Sequence, residues 1–429
     1  MKKIIAVSLS AILFAACTKT QFTPANVSEG SADFTTYVAV GNSLTQGYMD
    51  NGLYAYGQGH SWPEDLSHQM KLACPNMNPF LQPSITGNGS GYIHLAYVNG
   101  QIDPISAGDS TYTTPDGRDP SWPSWGVPYQ GTAMNNMGIS GIRLTDCVAM
   151  NTSELEYNHF FCEVDTFGQF MNFGTLNNPT QYIDHIRSSK ATFFTCWLGD
   201  NDVLGYALNG GVPTIVIADT IYNITPPTEF ANKYDSVLTV FHNLGAKGIC
   251  VTIPNVTSIP YFNTVPSYVL VNGARKYFWI TTAAGVRQAT DKDYILLSAY
   301  DSVQAGWGTT AAKALNNNLV LDETEAAAVE SATLQYNASI KSLAAQYGFG
   351  VCDMYAFLGT LQKSLNIDGV NFSRTFIQGG TFGLDGIHPN ARGYAVVTNQ
   401  LILAINAKYG STLPQVDITK YKGVIFPNF

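Results

Sequence analysis

Four short runs of β-branched and aromatic residues constrain the fold of this 429-residue chain more than any other feature. The runs occupy residues 36–41, 192–199, 248–254 and 349–355. Each run is apolar at both odd and even positions, and a strand with this pattern is covered on both of its faces. We therefore predict four strands inside a buried sheet.

Segments with helix start signals, stop signals or helical spacing separate or follow these runs. They lie at 228–244, 322–347 and 390–409, and each ends at a glycine. The second also begins with Asp322-x-x-Glu325, the pattern of a capped helix. Strands that alternate with helices imply a parallel sheet sandwiched between helices. The predicted fold class is therefore α/β, a three-layer α/β/α sandwich.

Two stretches, at about 75–130 and 265–308, interrupt this alternation. Both are rich in aromatic residues, and loops longer than about 15 residues are uncommon unless they are functional or disordered. We interpret them as insertions that cap one end of the sheet. No interdomain linker is visible, so we expect one elaborated domain over residues 34–410, followed by a carboxyl-terminal tail at 411–429.

The amino terminus has the pattern of an export signal. Lys2 and Lys3 precede a thirteen-residue run with only two serines, which is too short to span a bilayer as a stable helix. The following Phe-Ala-Ala-Cys sequence resembles the lipobox of bacterial lipoproteins. We predict a signal peptide at 1–16, lipidation of Cys17 and a flexible tether through residue 33. The protein would then be lipid-anchored in a bacterial cell envelope, at the outer membrane, facing the periplasm or the exterior.

The charge of the chain argues against a nucleic-acid-binding protein, and its cysteines do not indicate a metal site. Lysine and arginine number 22 against 31 acidic residues, a net charge of −9, and no basic block could follow a nucleic-acid backbone. Cys196, Cys250 and Cys352 lie in the apolar runs and are interpreted as buried thiols. Cys147 and Cys162 flank a polar stretch, so a disulfide between them stays open. No zinc-type His/Cys spacing occurs, and no metal is predicted.

Three polar segments follow predicted strands or precede the last helix, where an open parallel sheet binds ligands. Ser43 comes just after the first strand, where its hydroxyl would be exposed. Asn201 follows the second, in a Gly-Asp-Asn-Asp segment, and its side chain could donate to an oxyanion. Asp385 could fix the tautomer of His388, leaving the other ring nitrogen as a base for the serine. Taken singly, each segment is better explained as an ordinary turn, and in the Gly-Asp-Asn-Asp segment both aspartates would then face water.

The remaining six histidines lack a carboxylate in a comparable local loop. His60, in a Gly-Gln-Gly-His-Ser-Trp-Pro segment, is the one that we keep as a pocket candidate; the others are His68, His94, His159, His185 and His242.

Together these blocks resemble the SGNH (GDSL-type) hydrolases. Gly-Asn-Ser-Leu after the first strand, Gly138 in Asn-Asn-Met-Gly-Ile-Ser-Gly, Gly-Asp-Asn-Asp after a central strand and Asp-x-x-His before the last helix match in order over about residues 34–410. The resemblance implies a flavodoxin-like sheet, with Ser43 as nucleophile, His388 as general base and then acid, and Asp385 as its orienting carboxylate. It also implies an oxyanion hole formed by the Ser43 and Gly138 amides and the Asn201 side chain.

One residue departs from the family pattern, because Asn42 stands where the signature usually has aspartate. We expect altered local hydrogen bonding with catalysis retained. No Gly-x-Ser-x-Gly elbow occurs, which argues against the α/β-hydrolase route to the same chemistry.

The expected function is that of a serine esterase or acylhydrolase that needs no cofactor and acts on a lipid, a small acyl ester or an acetylated glycan. A carbohydrate O-deacetylase of the same fold and a non-catalytic envelope-binding lipoprotein stay open as alternatives. Acyl transfer in place of hydrolysis, the acyl chain length, the membrane leaflet and the oligomeric state also stay open.

Overall fold

Five parallel strands form the central sheet of the computed structural model. The structure describes residues 26–82, 87–98, 100–105, 134–149, 174–175, 178–179, 182–216 and 220–427. The strands are β1 (Tyr37–Gly41), β2 (Asn136–Gly138), β3 (Phe193–Trp197), β4 (Lys247–Val251) and β5 (Gly350–Cys352). Their spatial order is β2-β1-β3-β4-β5, and every pairing is parallel. This is the flavodoxin-like order, so the predicted fold class is confirmed.

Two groups of helices pack against this sheet. The helices used below are α1 (Ser43–Gln46), α2 (Trp62–Ala73), α3 (Asn201–Leu208), α4 (Pro227–Asn243), α5 (Glu323–Tyr347), α6 (Met354–Thr360) and α7 (Ala391–Tyr409). One group pairs α7 with α2, and the other packs α5 against α3 and α4. In the second group, the rings of Phe230 and Tyr336 stack with their centroids 4.0 Å apart. Shorter helices lie at Ala55–Gly59, Leu144–Ala149, Tyr182–Ser188, Pro260–Asn263 and Tyr300–Gln304.

The helix ends follow the local sequence signals. Asp322 accepts hydrogen bonds from the Thr324 and Glu325 amides, and Glu325 in return accepts one from the Asp322 amide, so that a capping box starts α5. Asn390 caps α7 by accepting from the Gly393 amide. The predicted long helices are therefore confirmed to within a residue or two.

The insertion predicted at 265–308 is built of hairpins with a small core of its own. Its paired strands are Tyr268–Val271 with Ala274–Tyr277 and Trp279–Thr282 with Gly285–Gln288. Tyr294–Ile295 pairs with Val320–Leu321, so the unit extends beyond the predicted boundary. Phe278, Ile280 and Leu315 lie in a buried cluster separate from the main core. Of the insertion predicted at 75–130, the described part includes a hairpin of His94–Val98 and Gln101–Ile105.

Other short pairings complete the described secondary structure. They are Gly174–Thr175 with Asn178–Pro179, Thr214–Val216 with Thr220–Tyr222, and Leu365–Ile367 with Val370–Phe372.

Both chain ends pack on the domain more closely than the sequence predicts. The Thr412 amide donates to the Ser28 carbonyl at 2.9 Å, and the Ser31 amide donates to the Tyr409 carbonyl at 2.8 Å. In the segment predicted as a tail, Leu413, Val416 and Ile418 are buried in the main core. The structure thus corrects two expectations, because residues 26–33 are bonded to the domain and residues 411–418 form part of its core.

The predicted signal peptide and Cys17 lie outside the described residues. Within the described part of the chain, no helix is long and apolar enough to cross a bilayer. Cys196, Cys250 and Cys352 are buried free thiols, as predicted. Cys147 is also a buried free cysteine, and its thiol donates to the Arg143 carbonyl at 3.4 Å. The structure therefore does not support a disulfide at Cys147; Cys162 lies outside the described residues.

Candidate active site

Ser43 lies directly beyond the carboxyl end of β1. The strand ends at Gly41, and Ser43 opens the four-residue helix α1. The side-chain oxygen of Asn42 caps this helix by accepting a hydrogen bond from the Leu44 amide at 3.0 Å. The strand order reverses between β1 and β3, so Ser43 occupies the switch point where open α/β sheets bind ligands.

His388 and Asp385 reach Ser43 from the loop that precedes α7. The Nε2 atom of His388 lies 2.8 Å from Ser43 Oγ, and its Nδ1 atom lies 2.7 Å from Asp385 Oδ2. Residues far apart in sequence thus form one hydrogen-bonded chain, with all three side chains largely buried. The structure brings together the three residues that the sequence predicts as nucleophile, base and orienting carboxylate.

The surroundings of Asp385 favour its ionised form. Burial raises its pKa, but the charge of His388, its ring hydrogen bond and backbone amides outweigh burial and hold the pKa below its ordinary value. Those amides belong to Ile387 and His388, which donate to Oδ1 at 2.8 and 2.9 Å. An ionised carboxylate can only accept, so Nδ1 of His388 carries the proton between them and Nε2 is free to accept one from Ser43.

Asn201 is the first residue of α3, just after β3. Its Nδ2 atom donates to the Ile142 carbonyl at 2.9 Å. A carboxamide has two N–H groups, so one more is available to the cavity that Asn201 lines. The bond to Ile142 fixes the carboxamide next to the segment that follows β2.

Gly138, predicted as an oxyanion donor, does not reach the site. It belongs to β2, and its amide already donates to Asn136 Oδ1 at 3.0 Å. The prediction is wrong because β2 continues through this glycine, which keeps its N–H inside the fold.

Gly141, three residues later, has an available amide. Its φ of +76° is in the left-handed region, where glycine is favoured. The amides around it are already bonded: Ile139 to the Gly41 carbonyl, Ser140 to Gln46 Oε1 and Ile142 to the Ile139 carbonyl. Among the described residues 138–142, only Gly141 has an N–H without a hydrogen-bond acceptor. A second glycine in the Gly-Ile-Ser-Gly segment was the sequence signal that could have identified it.

Asn42 is paired with a carboxyl group that sequence reasoning missed. Its Nδ2 atom donates to Asp200 Oδ2 at 2.7 Å. Asp200 is 5% exposed, and burial raises its pKa to about 7 despite this hydrogen bond. Asp202 is fully buried and accepts from the Leu144 amide and the Thr225 hydroxyl, each at 2.8 Å. The alternative that both aspartates of this turn face water is therefore wrong.

A cavity of about 50 Å³ is bounded by Ser43 and His388. Its polar lining is Asn42, Ser43, Asp200, Asn201 and His388. Ten apolar residues complete the lining, among them Leu44, Leu204, Val256, Ile259 and Leu358. The described lining contains no lysine or arginine, so the cavity is suited to an uncharged, mainly apolar group.

His60, the remaining pocket candidate, does not line this cavity. Its Nδ1 atom lies 2.8 Å from the Tyr56 carbonyl, and the residue borders a separate depression beside Tyr421. No group of three or more His, Cys, Asp or Glu side chains is placed to hold a metal ion within the part of the chain that the structure describes.

The sequence model of the GDSL-like lipase/acylhydrolase family matches residues 37–401. No curated protein sequence gives a match.

Similar solved structures include three hydrolases. A catalytic mutant of the acetylxylan esterase Axe2 from Geobacillus stearothermophilus is 10% identical, with 90% of this chain and 99% of that chain covered and a TM-score of 0.38. The α/β hydrolase LAE5 from the metagenome of Lake Arreo, Spain, is 14% identical, with 88% and 97% covered and a TM-score of 0.37. The extracellular lipase of Streptomyces rimosus is 14% identical, with 87% and 99% covered and a TM-score of 0.30.

Proposed function

The chain belongs to the GDSL-like lipase/acylhydrolase family and is an ester-bond hydrolase, and from this premise we propose that it cleaves carboxylic esters through an acyl-enzyme on Ser43. The observation that carries the proposal is the hydrogen-bonded chain from Ser43 Oγ through His388 to Asp385, with links of 2.8 and 2.7 Å. A serine hydroxyl is scarcely ionised at neutral pH, so a base at this distance is needed to take its proton during attack.

In this mechanism Ser43 Oγ bonds to the ester carbonyl carbon while His388 Nε2 takes the hydroxyl proton. The carbonyl electrons move to oxygen, and their return expels the alcohol, which takes the proton from His388. Water then attacks the acyl-enzyme with His388 as base, and the carboxylic acid leaves as Ser43 is regenerated. Asp385 stays ionised throughout and stabilises the imidazolium.

The negative charge that forms on the carbonyl oxygen needs hydrogen-bond donors. We assign the Ser43 amide, the Gly141 amide and the second N–H of the Asn201 side chain to this role, with Gly141 in place of Gly138. Two observations support the assignment: neither amide has an acceptor among the described residues, and Asn201 is bonded to the residue that follows Gly141. Donors fixed in advance act strongly in a site that excludes water.

The proposal predicts that Ser43→Ala lowers the turnover of a short p-nitrophenyl ester by about 10⁴-fold or more while the protein stays folded. Ser236→Ala is the matched control, because Ser236 is a serine on α4 whose hydroxyl donates to the Asn232 carbonyl of the same helix. Its turnover should equal that of the wild type. Wild-type turnover in a folded Ser43→Ala protein would remove Ser43 as nucleophile.

The small, apolar cavity supports a short acyl chain as the substrate portion bound beside Ser43. We expect p-nitrophenyl acetate and butyrate to be hydrolysed faster than octanoate. Leu358→Ala removes three carbons from the lining and should raise kcat/KM for octanoate relative to acetate by about 10-fold. Leu334→Ala, at an exposed leucine on α5, should leave that ratio unchanged. Octanoate as the best substrate of the wild type would contradict this assignment.

An acetyl group also fits so small a cavity, so carbohydrate O-deacetylation is the second candidate. Acetate release from an acetylated polysaccharide at a rate above that from simple alkyl acetates would favour it.

We further propose lipidation at Cys17 and residence in the bacterial envelope, on the strength of the sequence pattern. Incorporation of a labelled fatty acid into the full chain, and its loss in Cys17→Ser, tests this anchor.

A further inference from the structure

A strained turn is hydrogen-bonded to the loop that carries His388. Asp50 and Asn51 occupy its two central positions, and reciprocal hydrogen bonds of 2.9 Å between Met49 and Gly52 close it. Both central residues have positive φ, +53° and +59°. Aspartate and asparagine tolerate this conformation better than other non-glycine residues, but it still has a conformational cost. Contacts elsewhere must therefore maintain the turn.

Those contacts converge on the loop that carries Asp385 and His388. Asp50 Oδ1 accepts from the Leu384 amide at 2.6 Å, and the Asn51 amide donates to Asp385 Oδ2 at 3.0 Å. A Cβ atom at Gly383 would lie only 2.7 Å from Asp50 Oδ1, so the glycine is what lets the carboxylate approach so closely. The same oxygen of Asp385 thus receives the Asn51 amide and His388 Nδ1.

The second carboxylate oxygen of Asp50 is also hydrogen-bonded. Its Oδ2 atom accepts from the Tyr54 hydroxyl at 2.7 Å, and the Tyr54 ring stacks on Tyr92 with centroids 4.1 Å apart. Just before the turn, the carbonyl of Tyr48 accepts from the Tyr394 hydroxyl of α7 at 2.6 Å. The turn is therefore braced by aromatic residues as well as by its own backbone.

We propose that Asp50 is a positioning residue for the base: its carboxylate, with the Asn51 amide beside it, fixes loop 383–388 so that Asp385 meets His388 Nδ1 in the geometry required for catalysis. This inference rests on the proposed function. Asp50 does not line the cavity, and it acts on Asp385 through its hydrogen bond to the Leu384 amide and through the neighbouring Asn51 amide.

The charge of Asp50 should affect the pH dependence of the reaction, which a purely structural residue would not do. The charged and titratable groups that face it are Asp385, His388, Tyr54, Tyr56 and Tyr394. Burial raises the pKa of Asp50 to about 6, against the hydrogen bonds from Leu384 and Tyr54. Above about pH 6, where Asp50 is ionised, its charge favours a positive charge on the facing His388 ring, so its removal should move the acidic limb of the rate profile to lower pH.

Two variants separate geometry from charge. Asp50→Gly removes the carboxylate without a penalty for positive φ, and should lower kcat by about 10- to 100-fold with KM little changed. Asp50→Asn keeps an oxygen that can accept from Leu384, so it should retain most of kcat while its acidic limb moves to lower pH. Asp368→Gly is the matched control, because Asp368 also has a positive φ (+49°) in an exposed hairpin turn.

The test measures kcat, KM and the pH profile of ester hydrolysis for the wild type and these three variants, with thermal unfolding as the check on folding. A folded Asp50→Gly protein with wild-type kcat, or an Asp50→Asn profile that coincides with that of the wild type, would overturn the inference and leave the proposed function standing. A wild-type protein that neither turns over esters nor is labelled at Ser43 by a fluorophosphonate would overturn the proposed function and the inference with it.

Discussion

The pair formed by Asn42 and Asp200 shows how one residue's chemistry depends on its partner. The Asn42 amide is a donor, and Asp200 Oδ2 is the acceptor 2.7 Å away. Because burial raises the pKa of Asp200 to about 7, ionising this group costs stability as the pH rises from about 4, where an unfolded aspartate ionises, towards 7. The asparagine offsets part of that cost, and an aspartate in its place could not.

We therefore predict that Asn42→Asp, which restores the residue usual in the family signature, destabilises this protein. Two facing carboxyls must share a proton or carry two like charges. At pH 8 the free energy of unfolding should fall by about 1 to 3 kcal/mol, because Asp200 loses its donor. At pH 5 the loss should be smaller, since a shared proton is then retained more easily. Urea unfolding at the two pH values measures both.

The double variant Asn42→Asp/Asp200→Asn is the control for this prediction. It exchanges donor and acceptor, so it should recover most of the stability that the single variant loses. Equal destabilisation of the single and double variants would show that the pairing does not explain the effect.

Among the elements, the start of α3 and the segment after β2 carry two of the donors that we assign to the oxyanion hole. The bond from Asn201 Nδ2 to the Ile142 carbonyl ties these two elements together. Asp202, one residue further along α3, accepts from the Leu144 amide and so forms a second tie. The donors that we assign therefore lie on backbone held from two sides, as pre-organised stabilisation of an anion requires.

Asn201→Ala should lower turnover by about 10²- to 10³-fold, the usual effect of removing one oxyanion donor. Asn209 at the other end of α3 supplies a matched control, because its Nδ2 atom also donates to a backbone carbonyl, that of Val212. Asn209→Ala should keep wild-type kcat. Steady-state kinetics on the two variants decides the point: equal rates in both would exclude Asn201 from the oxyanion hole.

At the scale of the whole molecule, the strand order places the site. Because β1 and β3 are adjacent and the order reverses between them, Ser43 and Asn201 emerge side by side at one edge of the sheet. The loop before α7 then brings Asp385 and His388 over that edge. The hairpin insertion also approaches this loop, since Leu297 lies beside Gly386.

Much of this arrangement could be predicted because the signals are local. The strands β1, β3, β4 and β5 are apolar on both faces, and α5 and α7 end at Gly348 and Gly410. Their positions next to such elements made Ser43, Asp385 and His388 candidates, and the resemblance to the SGNH hydrolases supplied their roles. A residue just after a strand or just before a helix has its place determined by that neighbour.

The features of the fold and the site that could not be predicted depend on contacts between residues far apart in the chain. Strand β2 has three residues, too few for a periodic pattern, so its pairing with β1 and the inward amide of Gly138 could not be read from the sequence. The partnership of Asn42 and Asp200 spans 158 positions, and that of Asp50 and Leu384 spans 334. Likewise, residues 26–33 look like a tether until their hydrogen bonds to residues 409–412 are known.

Covalent labelling can show whether Ser43 is a nucleophile that His388 activates. Treatment with a fluorophosphonate, followed by intact-protein and peptide mass measurement, should give a single adduct on Ser43. Ser43→Ala should give none, and His388→Ala should react far more slowly because the serine keeps its proton. A label on another residue of the folded wild-type protein would exclude Ser43 as the nucleophile, and the absence of any label would favour a non-catalytic binding protein.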